Sequence, residues 1–199
     1  VMTRSIPMVK AFDDAMIVYA QNGDALMPVN GFPARLLLPG WEGNSSVKWL
    51  RRLELADQPF MTREETSKYT DPLGDGRTVR QFSFVMDARS IITDPAYPRV
   101  IEPGWHEIRG LAWSGRGRIT LVEVSTDGGA TWQAAELQAP VLPKAHVRFR
   151  APWNWTGGEA EILSRATDET GYIQPTWEVL RAARGPQTRH HQNPITSWT

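Results

Sequence analysis

GFPARLLLPGWEGNSSVKWLRRLEL, residues Gly31 to Leu55, is the stretch from which the rest of the chain is best read. A turn (Gly31, Pro33) leads into a short apolar strand, Ala34 to Leu38. Pro39 and Gly40 stop it, because proline offers no ladder donor and glycine accepts dihedrals that other residues avoid. A loop of small polar residues follows, Gly43-Asn44-Ser45-Ser46, and then a second strand is expected over Val47 to Leu55. Arg35 and Lys48 stand at the two ends of this unit. A loop rich in glycine and serine exposes backbone N–H groups, and with flanking cations it suits an anionic ligand such as a phosphate. A solvated turn carrying two surface cations is the other, commoner reading of these residues alone.

Outward from this stretch, the neighbouring segments read as short strands and loops. Ala15 to Ala20 (AMIVYA) is a compact apolar strand, and Gln21-Asn22-Gly23-Asp24 is a turn signal. On the other side, Thr62 to Tyr69 (TREETSKY) starts like a capping box and reads as a short helix or turn. A loop over 71–76 and a strand over Gln81 to Val85 follow, and a strand from Ser90 runs into a proline-rich linker, Pro95 to Pro103. Tyr69 by itself reads as a surface aromatic on a loop.

From about 95 to 184 short alternating segments recur at roughly ten-residue spacing, which is how a β-sandwich reads. Gly104 to Trp113, Ile119 to Ser125, Thr131 to Leu137, Val147 to Ala151 and Ala160 to Thr167 are the expected strands, with a hairpin turn at Thr126-Asp127-Gly128-Gly129. Arg181, in TWEVLRAARG, reads as a surface arginine on the last strand. Of the nine tryptophans, Trp105, Trp113, Trp132, Trp153, Trp155 and Trp177 fall in this region, where core and interface packing is their expected use.

Composition narrows the functional classes. The 199 residues suffice for one or two cores, and a hydrophobic share of 41% with 22% charged describes an ordinary globular protein. Basic and acidic residues balance at 22 each, which disfavours a general nucleic-acid binder. No apolar run approaches the roughly 18 residues of a membrane span. There is no cysteine, hence no disulfide and no thiolate ligand. His106, His146, His190 and His191 lack the spacing of a zinc site, and the His190-His191 pair reads as tail or interface. No GxSxG, P-loop or dinucleotide fingerprint is present, and Asp127-Gly128-Gly129 lacks the rest of a calcium loop.

Taken in order, RSIPMVKAFDDAMIVYAQNGDALMPVNGFP followed by ARLLLPGWEGNSSVKWLRRLEL resembles the pterin-binding segment of the sulfite oxidase family of molybdenum enzymes. Asn30 stands where many members have a histidine. The resemblance implies that Arg35 and Lys48 contact molybdopterin, its phosphate included, with Ser46 of the intervening loop in the same set. It implies Tyr69 as the tyrosine beside the molybdenum and Arg181 as the arginine that reaches the substrate pocket, with Arg184 as second choice. GLAWSGRGRITLVEVSTDGGATW and RATDETGYIQP resemble the family's immunoglobulin-like dimerisation domain.

The fold expected is therefore mainly β: the C-terminal portion of an α+β molybdopterin-binding domain (1–94), an immunoglobulin-like β-sandwich (95–184) and a tail (185–199). In this family the metal is held by a cysteine thiolate upstream, so the chain is expected to be the C-terminal part of a longer polypeptide. RATDETGYIQPTWEVLRA followed by HQNPITSW resembles the sulfane dehydrogenase subgroup of bacterial thiosulfate-oxidising systems. That implies a molybdenum–molybdopterin cofactor, a sulfur oxyanion or sulfane substrate, a homodimer, a c-type cytochrome partner and a periplasmic location. The alternative expectation is a non-catalytic β-sandwich dimerisation module with a remnant of the catalytic domain.

Overall fold

The computed structural model describes residues 2–72, 80–186, 188–189 and 191–198. The expected loop at 71–76 lies, from residue 73 onward, outside the described residues, as does His190. The chain divides into two units, residues 1–85 with 184–191 and residues 86–183 with 192–199.

In the first unit, helix α1 (Met8–Asp13) precedes β1 (Met16–Val18), β2 (Ala20–Gln21), β3 (Asp24–Ala25) and β4 (Arg35–Leu37). β2 and β3 form a hairpin whose corner residues, Asn22 and Gly23, have φ of 55° and 90°, the positive values that a two-residue hairpin turn needs. β4 pairs antiparallel with β1, Met16 opposite Leu37 and Val18 opposite Arg35. β5 (Thr70–Pro72) pairs with β6 (Arg80–Phe82).

The strand expected over Val47 to Leu55 does not form. Two ladder-like bonds start it, Leu36 N–H to the Val47 carbonyl (2.9 Å) and Leu50 N–H to the Ala34 carbonyl (2.8 Å). Trp49 between them has φ of 52°, and its indole donates to the Pro28 carbonyl at 3.0 Å. A left-handed residue interrupts the extended path, so the pairing stops there.

Thr62 to Tyr69 is a turn of π type over Glu64–Lys68, closed by the Tyr69 N–H on the Glu64 carbonyl at 2.9 Å. The Glu65 carboxylate takes the Thr62 N–H at 3.3 Å, which is half of the expected capping box.

The second unit is the sandwich. One sheet runs β11 (Glu136–Gln138), β12 (Val147–Trp155), β8 (Gly104–Trp113), β7 (Arg89–Asp94); the other runs β10 (Gln133–Ala134), β9 (Ile119–Ser125), β13 (Leu163–Asp168), all antiparallel. Inward residues of both sheets make one core: Ile108, Ala112, Val147, Phe149 and Ala151 from the first, Ile119, Val122, Val124 and Ala166 from the second. Alternation explains the selection, since successive side chains leave opposite faces of a strand. Gly110 is required by this packing. A Cβ there would lie 2.2 Å from the Phe149 ring and 2.3 Å from the Ile91 carbonyl oxygen.

Two expectations for this unit are corrected. Thr131 to Leu137 is two strands, β10 pairing with β9 and β11 with β12, so the segment crosses from one sheet to the other. Arg181 lies on a helix, α2 (Trp177–Arg184), rather than a last strand. Thr176 caps it, taking the Val179 N–H at 3.4 Å, and Leu180 is its buried residue. Of the tryptophans expected in core or interface, Trp153 is buried and Trp155 packs on the core, and Trp105 is 73% exposed.

The segment Arg184–His191 belongs to the first unit and the final Gln192–Thr199 to the second. In the first unit Thr188 Oγ1 donates to Asp71 at 3.0 Å. In the second, Trp198 bridges to Ile162 and donates its indole N–H to the Pro95 carbonyl at 2.6 Å.

Candidate functional site

Arg35 and Lys48 meet around Gly31. A Cβ on Gly31 would lie 3.0 Å from the Lys48 Cβ and 3.2 Å from the Arg35 Cβ, and Gly31 has φ of +109°. Only glycine lets the two cationic side chains leave from so close a pair of backbones. The Arg35 guanidinium donates to the Asn30 carbonyl at 3.3 Å and to the Ser46 carbonyl at 3.1 Å. Its buried Nε has no acceptor among the described residues. Lys48 Nζ donates to the Val29 carbonyl at 2.9 Å and is exposed. That bond uses one of the ammonium's three donors.

Ser46 is 6% exposed, and its hydroxyl oxygen accepts the Leu38 N–H at 3.1 Å. Its part in this cluster is to shape the loop and to offer Arg35 a carbonyl. Arg35, Ser46 and Lys48 are thus brought together as one cationic corner. Asn30, at the family's histidine position, contributes its backbone carbonyl.

Tyr69 sits in the same unit at the end of the π-type turn and is half-buried. The Arg4 guanidinium lies over its ring, 5.3 Å from the centroid, and donates to the Glu64 carbonyl at 3.2 Å. Arg4 is the residue that sequence reasoning missed. Its only signal was its place in the R-S-I-P run, which carries no spacing rule.

Arg181 belongs to the second unit, exposed on α2. Its guanidinium carbon is 5.1 Å from the Trp177 ring centroid, one turn earlier. Arg184, the second choice, closes the same helix. His191 is no loose tail residue: it is 4% exposed, with Nδ1 at 3.2 Å from the Glu42 carboxylate. Among the described residues no group of three or more His, Cys, Asp and Glu side chains could hold a metal ion. No described helix is long and apolar enough to cross a membrane.

Comparison with known proteins covers both units. Residues 1–64 match the model of the oxidoreductase molybdopterin binding domain. Residues 80–197 match that of the Mo-co oxidoreductase dimerisation domain. The sulfite oxidase of Gallus gallus is 34% identical over 186 residues, covering 86% of this chain and 40% of that protein. A nitrate reductase [NADH] of Solanum lycopersicum is 30% identical, over 84% of this chain and 22% of that protein. Among solved structures, the sulfane dehydrogenase SoxCD from Paracoccus pantotrophus superposes with a TM-score of 0.92 at 51% identity. That match covers 98% of this chain and 50% of the SoxCD chain. The chain therefore spans half or less of the length of each of these relatives.

Proposed function

The chain belongs to the molybdopterin oxidoreductases that share the Mo-co oxidoreductase dimerisation domain, and from that premise we propose that it works in a molybdenum-dependent sulfite or sulfane dehydrogenase. The substrate class is an inorganic sulfur oxyanion or a protein-bound sulfane sulfur. The electrons leave to a c-type cytochrome, in the periplasm, from a dimer joined through the sandwich. The sulfane dehydrogenase likeness at 51% identity supports the choice of sulfur chemistry over nitrate.

The observation that carries the reading is the cationic corner at Gly31. Arg35, with a buried Nε that has no acceptor among the described residues, and Lys48 fit the phosphate-bearing end of molybdopterin, and Ser46 supports them. A molybdenum cofactor, when bound, supplies the two-electron redox change. The chain's own residues bind and orient. Arg35 and Lys48 neutralise the cofactor's phosphate. Tyr69 offers a phenol O–H, and Arg181 a planar guanidinium that can donate two bonds to one oxyanion. Each charge-assisted bond contributes about 1.5–3 kcal/mol.

The test separates the two roles. Arg181→Met is expected to raise KM with molybdenum content unchanged, because the lost contact is to substrate. Lys48→Met with Arg35→Gln is expected to lower molybdenum and pterin content. Loss of metal in Arg181→Met, or full metal in the double variant, overturns these assignments.

A second reading rests on how the core is distributed. Among the described residues of the first unit the buried apolar side chains are Leu26, Leu36 and Leu38, while Phe12, Tyr19 and Leu55 are at least 75% exposed. A non-catalytic pairing module would have a well-packed sandwich and a poorly covered partner unit of this kind. Elemental analysis discriminates: molybdenum near one per chain favours the dehydrogenase, and a metal-free stable dimer favours the module.

A further inference from the structure

Three consecutive residues at the start of the chain grip the turn that presents Tyr69. The Thr3 carbonyl accepts the Thr62 hydroxyl at 3.2 Å. Ser5 gives both its N–H and its hydroxyl to the Glu65 carboxylate, and its Oγ accepts the Phe60 N–H at 3.0 Å. Arg4, between them, shares an acceptor with Tyr69 itself: the Glu64 carbonyl takes Arg4 Nη1 at 3.2 Å and the Tyr69 N–H at 2.9 Å. Turns of π type occur mostly as single turns and frequently at functional sites. This one has its closing carbonyl and its last aromatic ring both in contact with one guanidinium.

The rest of that guanidinium is desolvated. Arg4 Nε and Nη2 are buried and have no acceptor among the described residues. Burial pulls the group below its usual value, against the opposing pull of Glu65, Glu42, Tyr69 and Glu64. Arg4 as a whole is half-buried, so its charge is screened less than that of a fully exposed arginine, and Glu65, Glu42 and Glu64 offset part of it. The positive charge stands against the face of the Tyr69 ring, 5.3 Å from its centroid.

We infer that Arg4 is the positioning residue of Tyr69, fixing the ring through the Glu64 carbonyl and the ring face, and that its charge makes the Tyr69 site selective for a doubly charged sulfur oxyanion. The inference rests on Tyr69 facing the substrate, as proposed above. The guanidinium acts through the tyrosine, and its buried nitrogens stay behind the ring.

The probe is inorganic sulfate, a non-reacting dianion, bound to the molybdenum-loaded holoenzyme and followed by calorimetry. Amide hydrogen exchange across 62–69 is measured alongside. Arg4→Gln is expected to weaken sulfate about tenfold and to speed exchange at the Tyr69 amide, the loss of a nearby charge and of a shared bond. Arg4→Lys, which keeps the charge without the planar fork, is expected to recover most of the sulfate affinity. Sulfate affinity unchanged in Arg4→Gln while Tyr69→Phe weakens it overturns the inference and leaves the Tyr69 reading standing. Equal losses in Arg4→Gln and Arg4→Lys, with faster exchange along the whole chain, make Arg4 a structural strut and overturn it too. If Tyr69→Phe leaves sulfate binding untouched, the substrate reading of Tyr69 fails and the inference falls with it.

Discussion

The guanidinium of Arg181 rests 5.1 Å from the ring centroid of Trp177, four residues before it on α2. At this spacing two helical side chains share a face, so the indole restricts where the guanidinium can go. Trp177→Leu is expected to raise KM about two- to fivefold with kcat unchanged, the equivalent of about 0.5–1 kcal/mol for an exposed cation–π contact. Trp177→Phe should recover part of the loss. Steady-state kinetics of the three proteins check it.

Gly31→Ala should damage the cationic corner. The new methyl meets the Cβ atoms of Lys48 and Arg35 at 3.0 and 3.2 Å, with φ at +109°. Strain at such a position costs of order 1–3 kcal/mol. The expected outcome is a lower midpoint for the first unit in thermal unfolding, together with reduced molybdenum content.

Gly110→Ala tests the sandwich. Its methyl would stand 2.2 Å from the Phe149 ring and 2.3 Å from the Ile91 carbonyl, an overpacking cost of about 3 kcal/mol. Adding Phe149→Leu should relieve only part of this, since the Ile91 carbonyl belongs to the neighbouring strand. Chemical unfolding of the single and double variants provides the comparison.

Asp127 supplies a pH dependence. The Thr131 hydroxyl first, then the Thr131 N–H and the Ser125 hydroxyl, hold its carboxyl at about 2, below the usual 3.8. The bonds measure 2.5, 2.9 and 2.7 Å. With the folded value below the unfolded one, the unfolded chain binds more protons between the two. The hairpin's contribution is thus complete above about pH 4 and is lost as pH falls towards 2. Thermal midpoints of the wild type and Asp127→Ala should differ by a constant amount from pH 5 to 7. The gap should close below pH 4.

How much of this was legible in the chain varies by element. β8 and β9 could be read to the residue, because alternation and glycine-rich turns set them locally. β12 was read short, as Val147 to Ala151, whereas the ladder continues through Pro152, opposite Glu107, to Trp155. The strand after Val47 failed at Trp49, whose left-handed backbone depends on an indole bond to Pro28, a contact that sequence spacing does not reveal. α2 was mistaken for a strand because only eight residues carry its period. The corner of Arg35, Ser46 and Lys48 was legible through resemblance. Arg4 was not, because its partner Tyr69 is 65 positions away and meets it only after the π-type turn forms.

The divided allegiance of the last sixteen residues bears on how this protein can be dissected. A stop codon placed just after α2 would strip Thr188 from Asp71 and Trp198 from Ile162 in one stroke. Neither unit would then keep its native closure, so a trimmed sandwich is a poor stand-in for the whole. Excision by an internal cut near residue 86 with the C-terminus left intact is the cleaner experiment, although it carries along the 184–191 segment that belongs to the other unit.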